Sequence, residues 1–127
     1  MIDHISLCVS NLEKSRDFYA ATLLPLNYKI IYDIKDIEAW GMGMKACSFG
    51  ENNETRLWLS SDGPVQKMHI AFSAKSEAEV QAFYDAGLKA GGTDNGAPGI
   101  REQYAPNYYG AFLHDPDGNN IEAVFRS

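Results

Sequence analysis

The sequence predicts an α+β fold built from two related halves, which together form a curved, partly closed mixed sheet with its helices outside. Two observations carry this prediction: an internal repeat, and strand-like alternation at the start of each copy. The repeat aligns DHISLCVSNLEKSRDFYAATL with MHIAFSAKSEAEVQAFYDAGL, because adding 65 to the residue numbers of the first stretch gives six identities in the second. We therefore expect one domain over residues 1–127, with modules at about 1–62 and 66–127.

Each copy opens with a predicted strand. Ile5, Leu7 and Val9 alternate with polar or small residues in the first copy, as Ile70 and Phe72 do in the second. A period of two is typical of a strand with one packed face. Each half should therefore contribute one such strand at its start.

A helix should follow each opening strand. The pairs Ser10 with Glu13 and Ser76 with Glu79 have the form of a capping box, which marks a helix start. Pro25 should end the first helix, and the Gly-Gly pair at 91–92 should end the second.

The rest of the chain should contribute more strands. Alternation and β-branched or aromatic residues predict them at Lys29 to Asp33, Lys45 to Phe49, Arg56 to Ser60, Tyr109 to His114 and Asn120 to Phe125. Residues 34–43 read equally as a short strand or a loop. Residues 91–108 read as a long loop that covers a site.

Composition excludes several classes of function. A net charge of -6 without a Lys/Arg cluster excludes nucleic acid as a partner, and no apolar run is long enough to span a membrane. The first residues lack the features of a signal peptide, so we expect a soluble cytoplasmic protein. Cys8 and Cys47 should be reduced thiols, because two cysteines without C-x-x-C spacing do not form a disulfide framework.

Three side chains predict a metal site. His4 and His69 occupy equivalent places in the two copies, on the face opposite the apolar residues, so a pseudo-twofold axis would bring them together. The turn at Asp115 to Gly118 sets the register of the last strand, and Ile121 and Ala123 then face the helices, which leaves Glu122 on the side of the histidines. Two imidazoles and a carboxylate suit Fe(II), Mn(II), Zn(II) or Ni(II).

Three motifs give the chain a family likeness. H-I-x-L-x-V-x-N-L-x-x-S-x-x-F-Y, H-I-A-F and D-P-D-G-N-x-I-E, in this order, resemble the vicinal oxygen chelate superfamily, which includes glyoxalase I, extradiol dioxygenases and bleomycin resistance proteins. The resemblance implies paired βαβββ modules and implies that His4, His69 and Glu122 are the metal ligands. It also implies a homodimer, with the site either within one chain or between chains.

One position departs from the glyoxalase pattern. Those members place a fourth ligand, Glu or Gln, on the last strand of the first module, where Trp58 stands here if Leu57 and Leu59 face the helices. The resemblance thus favours a small substrate that chelates the metal through neighbouring oxygens, with dioxygenase-like chemistry slightly preferred over a glyoxalase-like lyase or isomerase. The alternatives are a non-catalytic protein that binds a drug or metabolite and a silent module that only dimerises.

Four further residues are candidates for the substrate site. Arg56 could hold a substrate carboxylate, and Trp58, Tyr104 and Tyr109 could line a pocket for an apolar or aromatic ligand. Because the fourth ligand that could act as a base is absent, the protein would need another proton acceptor, for which Tyr104 and Tyr109 are candidates. Trp40 and Tyr108 could also line the pocket, and we expect about half of these aromatic residues to reach it, with the rest in the core.

Overall fold

The computed structural model describes all 127 residues, which form two four-stranded sheets with helices packed against them. The strands are β1 (Ile5–Cys8), β2 (Lys29–Tyr32), β3 (Ala46–Glu51), β4 (Glu54–Ser60), β5 (His69–Ser73), β6 (Thr93–Ile100), β7 (Tyr108–His114) and β8 (Asn120–Arg126). The helices are α1 (Leu12–Leu23), α2 (Ile34–Ala39) and α3 (Glu77–Lys89), with a 3-10 turn at Leu24–Leu26. None of these helices has the length and hydrophobicity that crossing a bilayer requires.

The two sheets share one topology. Their strand orders are β1-β4-β3-β2 and β5-β8-β7-β6. The pairs β1·β4 and β5·β8 are parallel, and all other neighbouring strands are antiparallel. The predicted α+β class with paired modules is confirmed, although no hydrogen-bonded strand pair joins one sheet to the other. Ser6 lies opposite Trp58 and Ala71 lies opposite Glu122. Since Ser6 and Ala71 are related by the repeat, Trp58 occupies the place of Glu122 in the first sheet.

One helix start differs from the prediction and the other matches it. Asn11, rather than Ser10, caps α1, and its side-chain oxygen accepts a hydrogen bond from the Lys14 backbone N–H at 3.1 Å. Asparagine is as good an N-cap as serine, so the sequence did not decide between Ser10 and Asn11. Ser76 caps α3 as predicted, with its Oγ 3.1 Å from the Glu79 nitrogen.

Residues 34–43 contain a short helix, which neither reading of the sequence anticipated. Asp33 caps it, and the Asp36 carboxylate accepts a hydrogen bond from the Asp33 backbone N–H at 2.7 Å, which completes a capping box with an aspartate in place of the usual Glu or Gln. Ile37 is fully buried and anchors the helix to the protein. The reciprocal cap and the packing of Ile34 and Ile37 stabilise this short helix.

The loop expected at residues 91–108 is largely a strand. β6 pairs with β7 along the sheet edge, but its register shifts on both sides of Gly96. The glycines and Pro98 in this segment are typical of a loop, but an edge strand tolerates both a proline and a shift of register. Only residues 101–107 connect β6 to β7 without strand structure.

One hydrophobic core joins the two halves. It contains the apolar faces of both sheets together with Phe18 of α1 and Phe83 of α3. The helices approach closely where Thr22 Oγ1 donates to the Phe83 carbonyl at 2.9 Å, and a methyl group on Gly87 would lie 2.2 Å from Leu113 Cδ1. Because both apolar faces are covered in this way, the opposite sheet faces remain on the outside of the chain.

The predicted turn before β8 is present and is tied to the first half of the chain. The buried Asp115 carboxylate accepts hydrogen bonds from the Tyr19 hydroxyl at 2.5 Å and from the Asn119 backbone and side-chain nitrogens, each at 2.8 Å. Gly118 closes the turn with φ of 86°, a value that favours glycine. These bonds fix where β8 begins and therefore which way Glu122 points.

Candidate functional site

His69 and Glu122 form the centre of the candidate site. Glu122 is only 2% exposed, and its Oε1 lies 3.2 Å from His69 Nε2. The other ring nitrogen, Nδ1, lies 3.0 Å from the Asn120 carbonyl oxygen. A carbonyl only accepts hydrogen bonds, so Nδ1 carries a proton, and Nε2 faces the carboxylate either through a second ring proton or with its lone pair. Two electron-pair donors facing each other repel unless a proton or a metal ion lies between them.

Tyr108 holds the second oxygen of this carboxylate. Its hydroxyl donates a hydrogen bond to Glu122 Oε2, which leaves Oε1 directed at His69. Burial and this hydrogen bond raise the pKa of Tyr108 to about 12, so the hydroxyl stays protonated at neutral pH. A methyl group on Gly110 would lie 3.1 Å from the Tyr108 ring and 3.3 Å from Glu122 Oε2. The glycine therefore leaves the space that the Tyr108 ring needs to reach Glu122.

Aromatic and cationic side chains surround this centre. Phe112 is stacked near His69, with ring centroids 6.4 Å apart, and Tyr104 covers both Phe112 and Tyr108 edge to face. The Arg101 guanidinium carbon lies 5.6 Å from the centroid of the Phe112 ring. The Arg126 guanidinium carbon lies 4.8 Å from the centroid of the Tyr108 ring. The second sheet therefore presents a surface of aromatic rings next to the Glu122 carboxylate, with a guanidinium group over two of the rings.

His4 lies apart from the other two predicted ligands. It precedes β1, and its Nδ1 is 2.7 Å from the Asp3 carboxylate. Together with Arg56 and Trp58 it lines an open cleft of about 430 Å³ on the first sheet. No group of three His, Cys, Asp or Glu side chains in the chain is arranged to hold a metal ion. One chain thus brings together His69 and Glu122 but not His4.

The first sheet carries an aromatic cluster where the second carries Glu122. Trp58 is stacked on Tyr32, with centroids 6.0 Å apart and an interplanar angle of 8°. Trp40, at the end of α2, meets Tyr32 at 5.2 Å and Trp58 at 6.4 Å. This Tyr32–Trp40–Trp58 cluster is partly exposed and contains no His, Cys, Asp or Glu.

The remaining candidates are divided between the surface and the core. Arg56 is already paired with the Glu54 carboxylate and donates to the Asp3 carbonyl at 3.1 Å. Tyr104 is 58% exposed beside the second-sheet site. Tyr109 is buried in the core, where its hydroxyl accepts a hydrogen bond from Gln81 Nε2 at 2.9 Å.

Tyr108, rather than its neighbour, reaches the predicted carboxylate. The sequence contained a signal for this: residues 108, 110 and 112 share one face of β7, and the residue at 110 is a glycine that leaves room for a large ring. What the sequence lacked was the register, which places Phe112 opposite Glu122.

Comparison with known proteins gives a consistent assignment. The family model for the glyoxalase/bleomycin resistance protein/dioxygenase superfamily matches residues 1–123. A glyoxalase/bleomycin resistance protein from Albidiferax ferrireducens T118 has 27% sequence identity and a TM-score of 0.76, and the match covers 98% of each chain. Lactoylglutathione lyase from Agrobacterium tumefaciens, at 17% identity, has the same fold with a TM-score of 0.68 over 98% of this chain and 92% of that one. No curated protein sequence matches the chain.

Proposed function

Since the chain belongs to the glyoxalase/bleomycin resistance protein/dioxygenase superfamily, we propose that it is a divalent-metal-dependent enzyme whose small substrate presents two neighbouring oxygens. The observation that supports this most directly is the 3.2 Å approach of His69 Nε2 to Glu122 Oε1. A lone pair and a carboxylate that converge in this way fit two ligands of one divalent ion.

Two neighbouring groups already hold these two side chains in place. The Asn120 carbonyl fixes the orientation of the His69 ring, and the Tyr108 hydroxyl fixes the Glu122 carboxylate. Such outer partners orient metal ligands and tune their basicity. A bound Fe, Mn, Zn or Ni ion would act as a Lewis acid that polarises a substrate oxygen and stabilises negative charge on it.

The third ligand in this proposal is His4 from a second copy of the chain. His4 is exposed and lies apart from His69 and Glu122 within one chain. The strand faces beside both histidines are also open, because Ser6, Ala71 and Ser73 are exposed. A homodimer that places the first-sheet face of one copy against the second-sheet face of the other would complete the ligand set and cover both surfaces.

The position of Trp58 supports one reaction class over the other. Its indole stands where a fourth ligand would be, so a three-ligand ion keeps open positions for substrate and for a second small molecule such as dioxygen. This favours dioxygenase-like chemistry over a lyase or isomerase. The exposed Tyr32–Trp40–Trp58 cluster supports a second candidate, a protein that binds a flat drug or metabolite without chemistry.

Metal analysis of untagged protein tests the site. Wild type should bind about one divalent ion per chain, and His69→Ala should lose at least nine-tenths of it while remaining folded. His114→Ala is the matched control, because this third histidine makes no hydrogen bond or ion pair with His69 or Glu122. Full metal retention in His69→Ala, or equal loss in the control, contradicts the assignment.

Light scattering and the His4→Ala variant test the shared site. The protein should be a dimer at micromolar concentration, and His4→Ala should lose metal while staying dimeric. A monomer that binds metal normally contradicts the shared site.

Two activity assays separate the reaction classes. Fe(II)-loaded protein should consume oxygen with a catechol, whereas Ni(II)- or Zn(II)-loaded protein should be slow with the methylglyoxal-glutathione hemithioacetal. The reverse pattern supports the lyase. Silence in both assays, together with tight binding of aromatic compounds, supports the binding protein.

A further inference from the structure

A polar cleft of about 410 Å³ lies where the first turn of α1 meets the segments that lead into β5, β6 and β8. No hydrophobic residue lines it, and its lining includes Lys14, Lys67, Thr93 and His114. None of the eight lining residues is a ligand in the proposed metal site. The cleft is therefore a surface whose role the proposed function does not explain.

The two lysines in this cleft have no close counter-ion within the chain. Neither Lys14 nor Lys67 forms an ion pair. The single acidic residue in the lining, Asp115, is 4% exposed, and each of its oxygens already accepts two hydrogen bonds. Its neighbour Asp117 accepts a hydrogen bond from the Ser10 backbone N–H at 3.1 Å. Both carboxylates of the turn are thus committed to other donors.

Three other clefts that contain a lysine or an arginine also contain a glutamate. The pairs are Lys29 with Glu51, Lys45 with Glu38, and Arg56 with Glu54. The chain as a whole carries a net charge of -6, so an acid beside each cation is the expected arrangement. A cleft with two ammonium groups and no accessible carboxylate departs from it and attracts an anion from solution.

The turn before β8 positions one of these ammonium groups. A methyl group on Gly118 would lie 3.6 Å from Lys67 Cε and 3.8 Å from Lys67 Nζ, so the lysine side chain lies against the turn. The Thr93 hydroxyl and the His114 ring form no hydrogen bond within the chain. Each of them can therefore donate a hydrogen bond to a ligand in the cleft.

We propose that this cleft binds the phosphate group of a small phosphorylated molecule. A phosphate monoester carries about 1.5 to 2 negative charges and three acceptor oxygens at neutral pH, which matches several donors on separate elements better than a singly charged carboxylate does. Lysine binds phosphate as a point charge, whereas the paired contact with a carboxylate is typical of arginine, and the cleft contains no arginine.

An NMR titration of the backbone amides in metal-free protein tests the cleft. EDTA is present throughout, so that phosphate cannot bind through a metal ion. The probes are inorganic phosphate and glycerol phosphate, with acetate at equal ionic strength as the reference anion. Both phosphates should shift the amide signals around the cleft, and acetate should bind about tenfold more weakly because it carries less charge.

Lys14→Gln together with Lys67→Gln should weaken the binding of both phosphates about tenfold, because two charge-assisted contacts are lost. Lys45→Gln together with Lys75→Gln is the charge-matched control, since these lysines are also exposed and lie outside the cleft. The control should keep the wild-type affinity within about twofold. Circular dichroism should show that both double variants remain folded.

Three results would overturn the proposal. Equal weakening in the two double variants would show that the anion responds only to net charge. Binding of inorganic phosphate without glycerol phosphate would leave a site for the free ion and refute a phosphorylated molecule as the ligand. Absence of signal shifts with both probes would refute the cleft as an anion site. Because the protein is metal-free, none of these results bears on the proposed metal site.

Discussion

The Tyr108→Phe substitution should destabilise the protein through a single lost hydrogen bond. The phenol is the only hydroxyl that donates to Glu122, a carboxylate with 2% exposure, and phenylalanine fills the same space without the donor. Hydrogen bonds to charged groups contribute about 1.5 to 3 kcal/mol. We therefore expect a loss of about 2 kcal/mol in the free energy of unfolding.

Urea unfolding at pH 7 in the presence of EDTA measures this loss, because bound metal would otherwise add to the stability. The midpoint should fall by about 1 M for a protein of this size. Tyr104→Phe is the control, since the Tyr104 hydroxyl makes no hydrogen bond, and it should change stability by less than about 0.5 kcal/mol. A Tyr108→Phe variant as stable as wild type would refute the role assigned to this hydroxyl.

The same hydrogen bond has a definite pH dependence. Because folding raises the pKa of Tyr108, the stabilisation is complete below about pH 10, the value for an unfolded tyrosine, and is lost as the pH rises towards about 12. The stability difference between wild type and Tyr108→Phe should thus be constant from pH 7 to 9 and smaller at pH 10.5 and above. A difference that grew with pH would contradict this sign.

Three further outcomes are expected from the structure. Tyr19→Phe should cost about 1 to 3 kcal/mol in urea unfolding, because the buried Asp115 carboxylate loses a donor that lies 2.5 Å away; no change would contradict this. Gly87→Ala should lower the thermal midpoint by several degrees, since its methyl would lie 2.2 Å from Leu113 Cδ1; an unchanged midpoint would show that the Leu113 side chain moves aside without cost. Burial raises the pKa of Cys47 to about 12, so Ellman's reagent at pH 8 should react with the half-buried Cys8 and reach Cys47 only after unfolding; rapid reaction of both thiols would refute this.

Local signals made much of the fold predictable. The opening strands, the cap at Ser76 and the turn that ends at Gly118 each depend on residues close together in sequence. The repeat then carried the topology from one half to the other. Elements that depend on distant partners were harder: β6 forms because β7 lies beside it, and its own glycines and Pro98 argue for a loop.

The site was predictable only within one sheet. Glu122 was placed correctly on the face opposite the helices because alternation along β8 decides it, and the same alternation in β4 placed Trp58. The expected meeting of His4 with His69 required a further assumption, that equivalent positions converge within one chain. In the structure the halves share a core through α1 and α3, and His4 is directed elsewhere. The two-residue period of a strand shows which face of its sheet a residue occupies. It does not show which surface packs against that face.

The asymmetry between the two sheets bears on the chemistry of the proposed site. His4 and Trp58 line the same cleft, so any contact that brings His4 of one copy to Glu122 of another also brings the indole. The residue related to Glu122 by the repeat is therefore Trp58, whose indole cannot serve as a fourth ligand or as a base. Tyr108 does not replace that base, because a raised pKa keeps its hydroxyl protonated and makes it a donor. A substrate whose chelating oxygens are ionisable hydroxyls would lessen the need for a protein base, since coordination to a divalent ion itself favours loss of the hydroxyl proton.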